Sequence, residues 1–147
     1  MSTAERWPDD LAVTQVRIAR PTDRLAEVVR FYRDGLGLRE LFRFEEHDGY
    51  YGVMLGLPGA NYHLEFTSHV DGSPCPAPTR DNLLVLYFAG ESAMNDVVAR
   101  LAGFGAQPVP SENPYWKTHG GITFEDPDGW HLVLMPRPVF TDGPEDG

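Results

Sequence analysis

Phe124-Glu125-Asp126-Pro127-Asp128-Gly129 decides how the C-terminal half of this chain folds. The last four residues form a turn by chemistry: Pro presets φ, Asp bonds nearby backbone, and Gly tolerates positive φ. Gly121 to Glu125 before it and Trp130 to Met135 after it are strand-like, so the stretch predicts a hairpin. Upstream lie an apolar strand from Asn82 to Phe88 and a helix carrying Met94, Val97, Val98 and Leu101. Ser92 is placed to cap that helix, and Gly103 or Gly105 to end it. A short strand near Gln107–Val109 completes an order of strand, helix and three strands.

The N-terminal half reads the same way. Ala12 to Ala19 alternates, with Val16 and Ile18 on one face and Gln15, Arg17 and Ala19 on the other. Pro21 ends this strand, and Thr22 or Asp23 can cap the helix that follows. Leu25, Val28, Val29 and Tyr32 fall at helical spacing to about Leu36, where Gly37 supplies a stop. Three strands follow: Leu38 to Glu45, Tyr50 to Leu55 after the turn His47-Asp48-Gly49, and Tyr62 to Thr67 after Leu57-Pro58-Gly59-Ala60. A Pro-rich linker, Ser73 to Thr79, separates the halves. Two copies of one order predict a single domain built by duplication.

Two motifs carry a family resemblance. Arg30-Phe31-Tyr32-Arg33-Asp34-Gly35-Leu36-Gly37-Leu38 resembles the "FY…LGL" signature of the vicinal oxygen chelate superfamily, and Phe124 to Gly129 resembles its "F-x-DPDG" turn. With both in the expected halves, the chain is identified as a member of that superfamily of glyoxalase, bleomycin-resistance and extradiol-dioxygenase proteins. The resemblance implies an α+β fold of two βαβββ modules, 11–70 and 81–136, making a cupped half-barrel mixed sheet with helices outside. Segments 1–10 and 137–147 are expected to be flexible tails.

Composition narrows the partners. A chain of 147 residues supports one substantial core and not two ordinary domains. A formal net charge of -10 argues against nucleic acid and anionic lipid, which are held by Lys and Arg. No apolar run reaches the roughly 20 residues that span a bilayer, and polar Met1 to Asp10 does not read as a signal peptide. The single cysteine, Cys75, cannot form an internal disulfide, and its Pro-rich loop offers no activating neighbour. A cytoplasmic protein that binds a small molecule is expected, and the resemblance implies a homodimer.

In metal-dependent members of the superfamily, ligands come from the first and last strands of each module. Carried over, these positions fall on Gln15, Glu65, Asn82 and Val133. Gln15 and Glu65 can ligate a divalent cation, neutral Asn82 is a weak donor, and Val133 is none. His131, two residues before Val133, shares its face and leaves a shifted site conceivable. The expectation is therefore no bound metal, with Zn, Ni or Fe as the alternative.

Alternation places Gln15, Arg17, His63, Glu65, His131, Val133 and Met135 inside the cup. Arg17 and Glu65 read either as an ion pair or as ligand anchor and general base; His63 and His131 read as bonded core histidines or as ligand contacts. Tyr115 and Trp116 lie on a loop by composition and must pack on something, either over the cup or at a subunit interface. The leading expectation is a metal-independent binding protein of the bleomycin-resistance type. It contacts ligand through Gln15, Arg17, His63, Glu65, Asn82, Tyr115, Trp116 and His131. The alternative is a lyase, isomerase or dioxygenase with Glu65 catalytic; a module with a vestigial cup is a third possibility.

Overall fold

A computed structural model describes residues 8, 10–59 and 61–139. Most of the two expected tails, including Thr141 to Gly147, lies outside the described residues, as does Ala60.

The first module builds a four-stranded sheet from β1 (Val16–Pro21), β2 (Arg39–His47), β3 (Tyr50–Gly56) and β4 (Tyr62–His69), ordered β1-β4-β3-β2. β1 runs parallel to β4, and the other pairs are antiparallel. The second module repeats this with β5 (Leu83–Tyr87), β6 (Ile122–Glu125) and β7 (His131–Met135), ordered β5-β7-β6 with β5 parallel to β7. Its fourth strand, expected near Gln107–Val109, is reduced to one bridge between Val109 and Thr123 on the far side of β6. Pro108 and Pro110 flank that residue, remove ladder donors and hold the pairing to a single position. Among the described residues the architecture is α+β, with two mixed sheets and no closed barrel.

Between β1 and β2 the chain forms a helix, α1 (Leu25–Val29), that continues into a π-helical segment, Arg30–Leu36. The widened turn was not legible in the spacing. Gly37 ends it in the left-handed region at φ 105°, as expected of a glycine stop. Arg100 caps this end from the second module: its Nη2 donates to the Leu36 carbonyl at 2.8 Å and its Nε to that of Gly35 at 3.3 Å. Gly35 lets the partner helix come close, since a Cβ there would stand 3.1 Å from Leu101 Cδ2. The partner, α2 (Glu91–Gly103), starts one residue before Ser92, and its N-cap is Gly90. Thr22 and Asp23 do not cap α1 either; the N-cap is Arg24, which makes no side-chain cap bond. They serve other neighbours, as Thr22 accepts from the Arg24 amide and the Asp23 carboxylate accepts from the Ser73 amide.

One core joins the modules. Val28, Tyr32 and Leu36 from the first helix meet Leu55, Leu64 and Phe66 of the first sheet, Leu101 of α2, and Phe124, Leu132 and Leu134 of the second sheet. Alternation along β4 sends Leu64 and Phe66 to this core and His63 and Glu65 to the opposite face.

Candidate functional site

The open face of the first sheet gathers a polar cluster. β1 and β4 pair in register so that Arg17 lies beside His63 and Ala19 beside Glu65, while β3 brings Met54 beside Glu65. Arg17 Nε donates to His63 Nε2 at 3.0 Å, Nη1 stands 3.7 Å from Glu65 Oε2, and Nη2 reaches Met54 Sδ at 3.5 Å. An imidazole nitrogen accepts only when it carries no proton, so the ring proton of His63 belongs on Nδ1. The Arg17 side chain remains 48% exposed while that of Glu65 is 10% exposed, so the guanidinium is the group a visitor meets. Next to it lies an open cleft of about 800 Å³ lined by Gln15, Leu38, Leu57, Asn61, Tyr62 and His63.

This geometry revises the metal positions. Gln15 lies ahead of β1 and outside the strand alternation; the β1 residue that faces Glu65 is Arg17. In the second module the strand pairing makes Leu83 the counterpart of Arg17, and His131 and Val133 the counterparts of His63 and Glu65. Of Arg17, Glu65, Leu83 and Val133, only Glu65 carries a metal donor, and its neighbour is already a cation. Asn82 lies before β5, and its Oδ1 accepts from the Thr79 amide and hydroxyl at 3.1 and 2.6 Å. Among the described residues, no three His, Cys, Asp or Glu side chains are grouped to hold a metal ion. The side chains present do not fit the superfamily's metal.

The remaining candidates are placed elsewhere. His131 is 2% exposed and its Nε2 lies 3.2 Å from Glu125 Oε2. Tyr115 and Trp116 sit on a short helical turn, α3 (Tyr115–Thr118), rather than an irregular loop. Asn113 Oδ1 accepts the Tyr115 amide, and the Gly121 amide donates to the Trp116 carbonyl at 2.7 Å, which pins α3 against β6. Pro114, Lys117 and Thr118 border a different cleft there, and neither aromatic lines the one holding His63.

The two signature motifs meet each other. Asp126 is buried; its Oδ2 accepts from Tyr32 Oη at 2.7 Å and from Arg20 Nη2. Its Oδ1 accepts from the Asp128 and Trp130 amides at 2.9 and 3.0 Å, closing the turn. Thr22 Oγ1 donates to Asp128 Oδ2 at 2.6 Å. Tyr32 and Asp126 thus clamp one module to the other. Burial, and then the Asp126 charge, push the Tyr32 hydroxyl well above its usual pKa. Arg20, which spacing did not single out, completes the clamp between Phe66 and Trp130, its guanidinium 5.0 and 4.8 Å from their rings. Its partner lies 106 residues away, beyond any local signal.

Fold and motifs together define a protein of the vicinal oxygen chelate superfamily. Models of the YycE-like N-terminal and C-terminal domains match residues 16–67 and 81–136. The uncharacterized protein YycE of Bacillus subtilis is 51% identical over 121 residues, which is 82% of this chain and 86% of YycE. This chain belongs to the YycE-like family. The 2.0 Å crystal structure of a Bacillus subtilis YycE protein has 45% identity and a TM-score of 0.85, over 94% of this chain and 100% of that one. That protein is described as of unknown function and as a proposed glyoxalase/fosfomycin resistance protein. A glyoxalase/bleomycin resistance protein/dioxygenase domain from Frankia sp. EAN1pec matches at 25% identity and TM-score 0.62, over 86% of this chain and 98% of that one. No helix among the described residues is long and apolar enough to cross a membrane.

Proposed function

We propose that this chain is a metal-independent small-molecule-binding protein whose ligand rests on the open face of the first sheet against Arg17. The observation that carries this reading is the half-exposed guanidinium held from three sides by His63, Glu65 and Met54. A side chain fixed in advance loses little freedom when a ligand arrives, and so keeps more of its interaction as affinity. Where metal-dependent relatives use a cation to meet a ligand oxygen, Arg17 supplies a fixed positive group. Its planar donors suit a carbonyl, carboxylate or phosphonate oxygen.

Glu65 is a positioning residue in this reading: it orients Arg17 and tempers its charge, and it is not the proton acceptor of a lyase or isomerase. The adjoining cleft of about 800 Å³ falls within the range that takes drug-sized molecules. Gln15 and His63 form its polar edge, and Leu38 and Leu57 its apolar wall. The description of the Bacillus relative adds small phosphonates to the planar carbonyl compounds worth testing.

A calorimetric screen of both classes on chelator-treated protein tests the proposal. A binder is expected to lose at least tenfold in affinity on Arg17→Gln, and His63→Phe is expected to weaken it in the same direction. Binding that survives both substitutions unchanged would sink the assignment.

A further inference from the structure

Beyond the polar cluster, the open face of the first sheet continues onto β2, and β2 breaks its own alternation to build it. Its pairing with β3 slips between Glu40, opposite Leu55, and Phe42, opposite Met54, which leaves Leu41 as the extra residue of a β-bulge. A bulge sets two consecutive residues against one on the partner strand and re-aims the side chains around it. Leu41, Phe42 and Phe44 therefore share the open face. Glu40 and Arg43 go to the helix side, where Glu40 Oε1 accepts from Arg33 Nη1 at 2.7 Å and from Arg43 Nη2 at 3.0 Å. Unbroken alternation back from Phe42 would have put Glu40 on the open face in place of Leu41. The bulge thus exchanges a carboxylate for an aliphatic side chain beside Arg17. On β3, Gly52 and Gly56 flank Met54 on this face and make room for the row. A Cβ on Gly52 would run into the Phe44 ring, and one on Gly56 would stand 3.1 Å from Leu41 Cδ2. Phe42 is nevertheless 56% exposed and Leu41 49% exposed, although both belong to a paired strand. An exposed apolar patch that adjoins fixed polar groups marks a place where something binds.

We propose that Leu41, Phe42 and Phe44 form the specificity-determining wall of the Arg17 site, and that its ligand is a flat aromatic molecule with a carbonyl or carboxylate oxygen close to the ring. This assignment rests on Arg17 receiving the ligand, and it selects aromatic carbonyl compounds over small aliphatic phosphonates. Arg17 fixes the oxygen, because a guanidinium only donates and its complement is an acceptor. The two phenylalanines fix the ring. Their centroids lie 6.5 Å apart with planes tilted by 32°, which leaves the exposed Phe42 free to stack on, or meet edge-on, an incoming aromatic. Met54 fixes the spacing. Its sulfur takes Arg17 Nη2 at 3.5 Å on one side, and its strand partner on the other side is Phe42. One strand spacing, about 5 Å, separates the two ends, so the oxygen belongs on the ring or within about two atoms of it. Leu41 joins this wall to the adjoining cleft, which it also lines.

The test titrates 2-naphthamide and 2-naphthoate, each beside its ring-saturated decahydro counterpart, and propylphosphonate as a ringless probe. Each saturated compound keeps the head group and the carbon skeleton, so a preference within a pair reports the flat ring. The aromatic member of each pair is expected to bind roughly threefold tighter or more, and to move the Met54 methyl resonance by its ring current. Phe42→Leu keeps apolar bulk at an exposed position, so the fold should survive while the preference within each pair disappears. Arg17→Gln should weaken every probe alike. If Arg17→Gln does so but the aromatic and saturated members bind equally, or propylphosphonate binds as well as the naphthyl probes, the wall assignment is overturned and the Arg17 site stands. If no probe responds to Arg17→Gln, the Arg17 site itself falls, and the wall with it. A Phe42→Leu protein that keeps the ring preference but sediments differently from the parent would overturn the proposal by making this face a subunit contact.

Discussion

Replacing Asp126 with Asn tests the clamp that joins the two modules, because the change alters charge and donor pattern at nearly constant volume. Oδ1 can still accept the Asp128 and Trp130 amides, so the turn itself should survive. The second position becomes an NH₂ group aimed at two donors, the Tyr32 hydroxyl and the Arg20 guanidinium. Arg20 is left as a cation with a side chain only 16% exposed and no counter-charge. Breaking one side of a buried ion pair costs about 3–5 kcal/mol, and the stranded Tyr32 hydroxyl works in the same direction. A total of at least about 3–5 kcal/mol is expected, a large share of a domain's usual stability. Tyr32→Phe removes one donor from a carboxylate that keeps three others, and should cost about 1.5 kcal/mol. The substitutions share a partner, so in the Asp126→Asn background Tyr32→Phe should cost less than alone, with a coupling of about 1 kcal/mol or more. Urea unfolding of the four proteins gives the cycle. A cost below about 1 kcal/mol for Asp126→Asn, or strict additivity, would refute the clamp.

Other outcomes follow from the same packing. Tyr32 is held neutral by burial, with its pKa raised, so the folded state keeps a proton that the unfolded chain loses near pH 10. Its contribution is therefore intact below that pH and declines above it. Between pH 10 and 11 the parent should lose up to about 1.4 kcal/mol more stability than Tyr32→Phe; equal slopes in urea titrations would contradict the assignment. Leu101→Ala empties a fully buried site against Gly35 and should cost about 2–5 kcal/mol by thermal or urea unfolding. We also propose a homodimer, supported by the half-exposed Val16 and Ile18 on the edge strand β1. Sedimentation at micromolar concentration should give about twice 16.4 kDa, and a single species at 16.4 kDa would rule it out.

Local periodicity carried most of the fold. The alternation of β3 and β4, the helical spacing from Leu25 to Leu36 and the Asp126 to Gly129 turn are each set by neighbours in sequence, which is why they were legible. What was missed depends on partners far along the chain. Ser92, Thr22 and Asp23 are good caps by type, yet tertiary contacts took Thr22 and Asp23 away from α1. Alternation from Ala12 places Gln15 in the cup with Arg17, whereas pairing with β4 starts at Val16, sets Arg17 beside His63 and brings its guanidinium to 3.7 Å from Glu65. The sequence offered Tyr115 and Trp116 as unattached aromatics; only the Gly121–Trp116 bond fixes them on β6. Alternation alone points to His63, while Glu65 is marked both by alternation and by the family resemblance. That Arg17 holds both could be read only from register.

The most direct test of the binding assignment is calorimetric titration of the tightest screened ligand into protein stripped with a chelator, before and after one equivalent each of zinc, nickel and iron(II). Saturable binding to the stripped protein is expected, with an affinity unchanged by any metal and at least a tenfold loss in Arg17→Gln. Binding that appears only with about one equivalent of metal, and that Glu65→Gln abolishes while Arg17→Gln leaves intact, would contradict it.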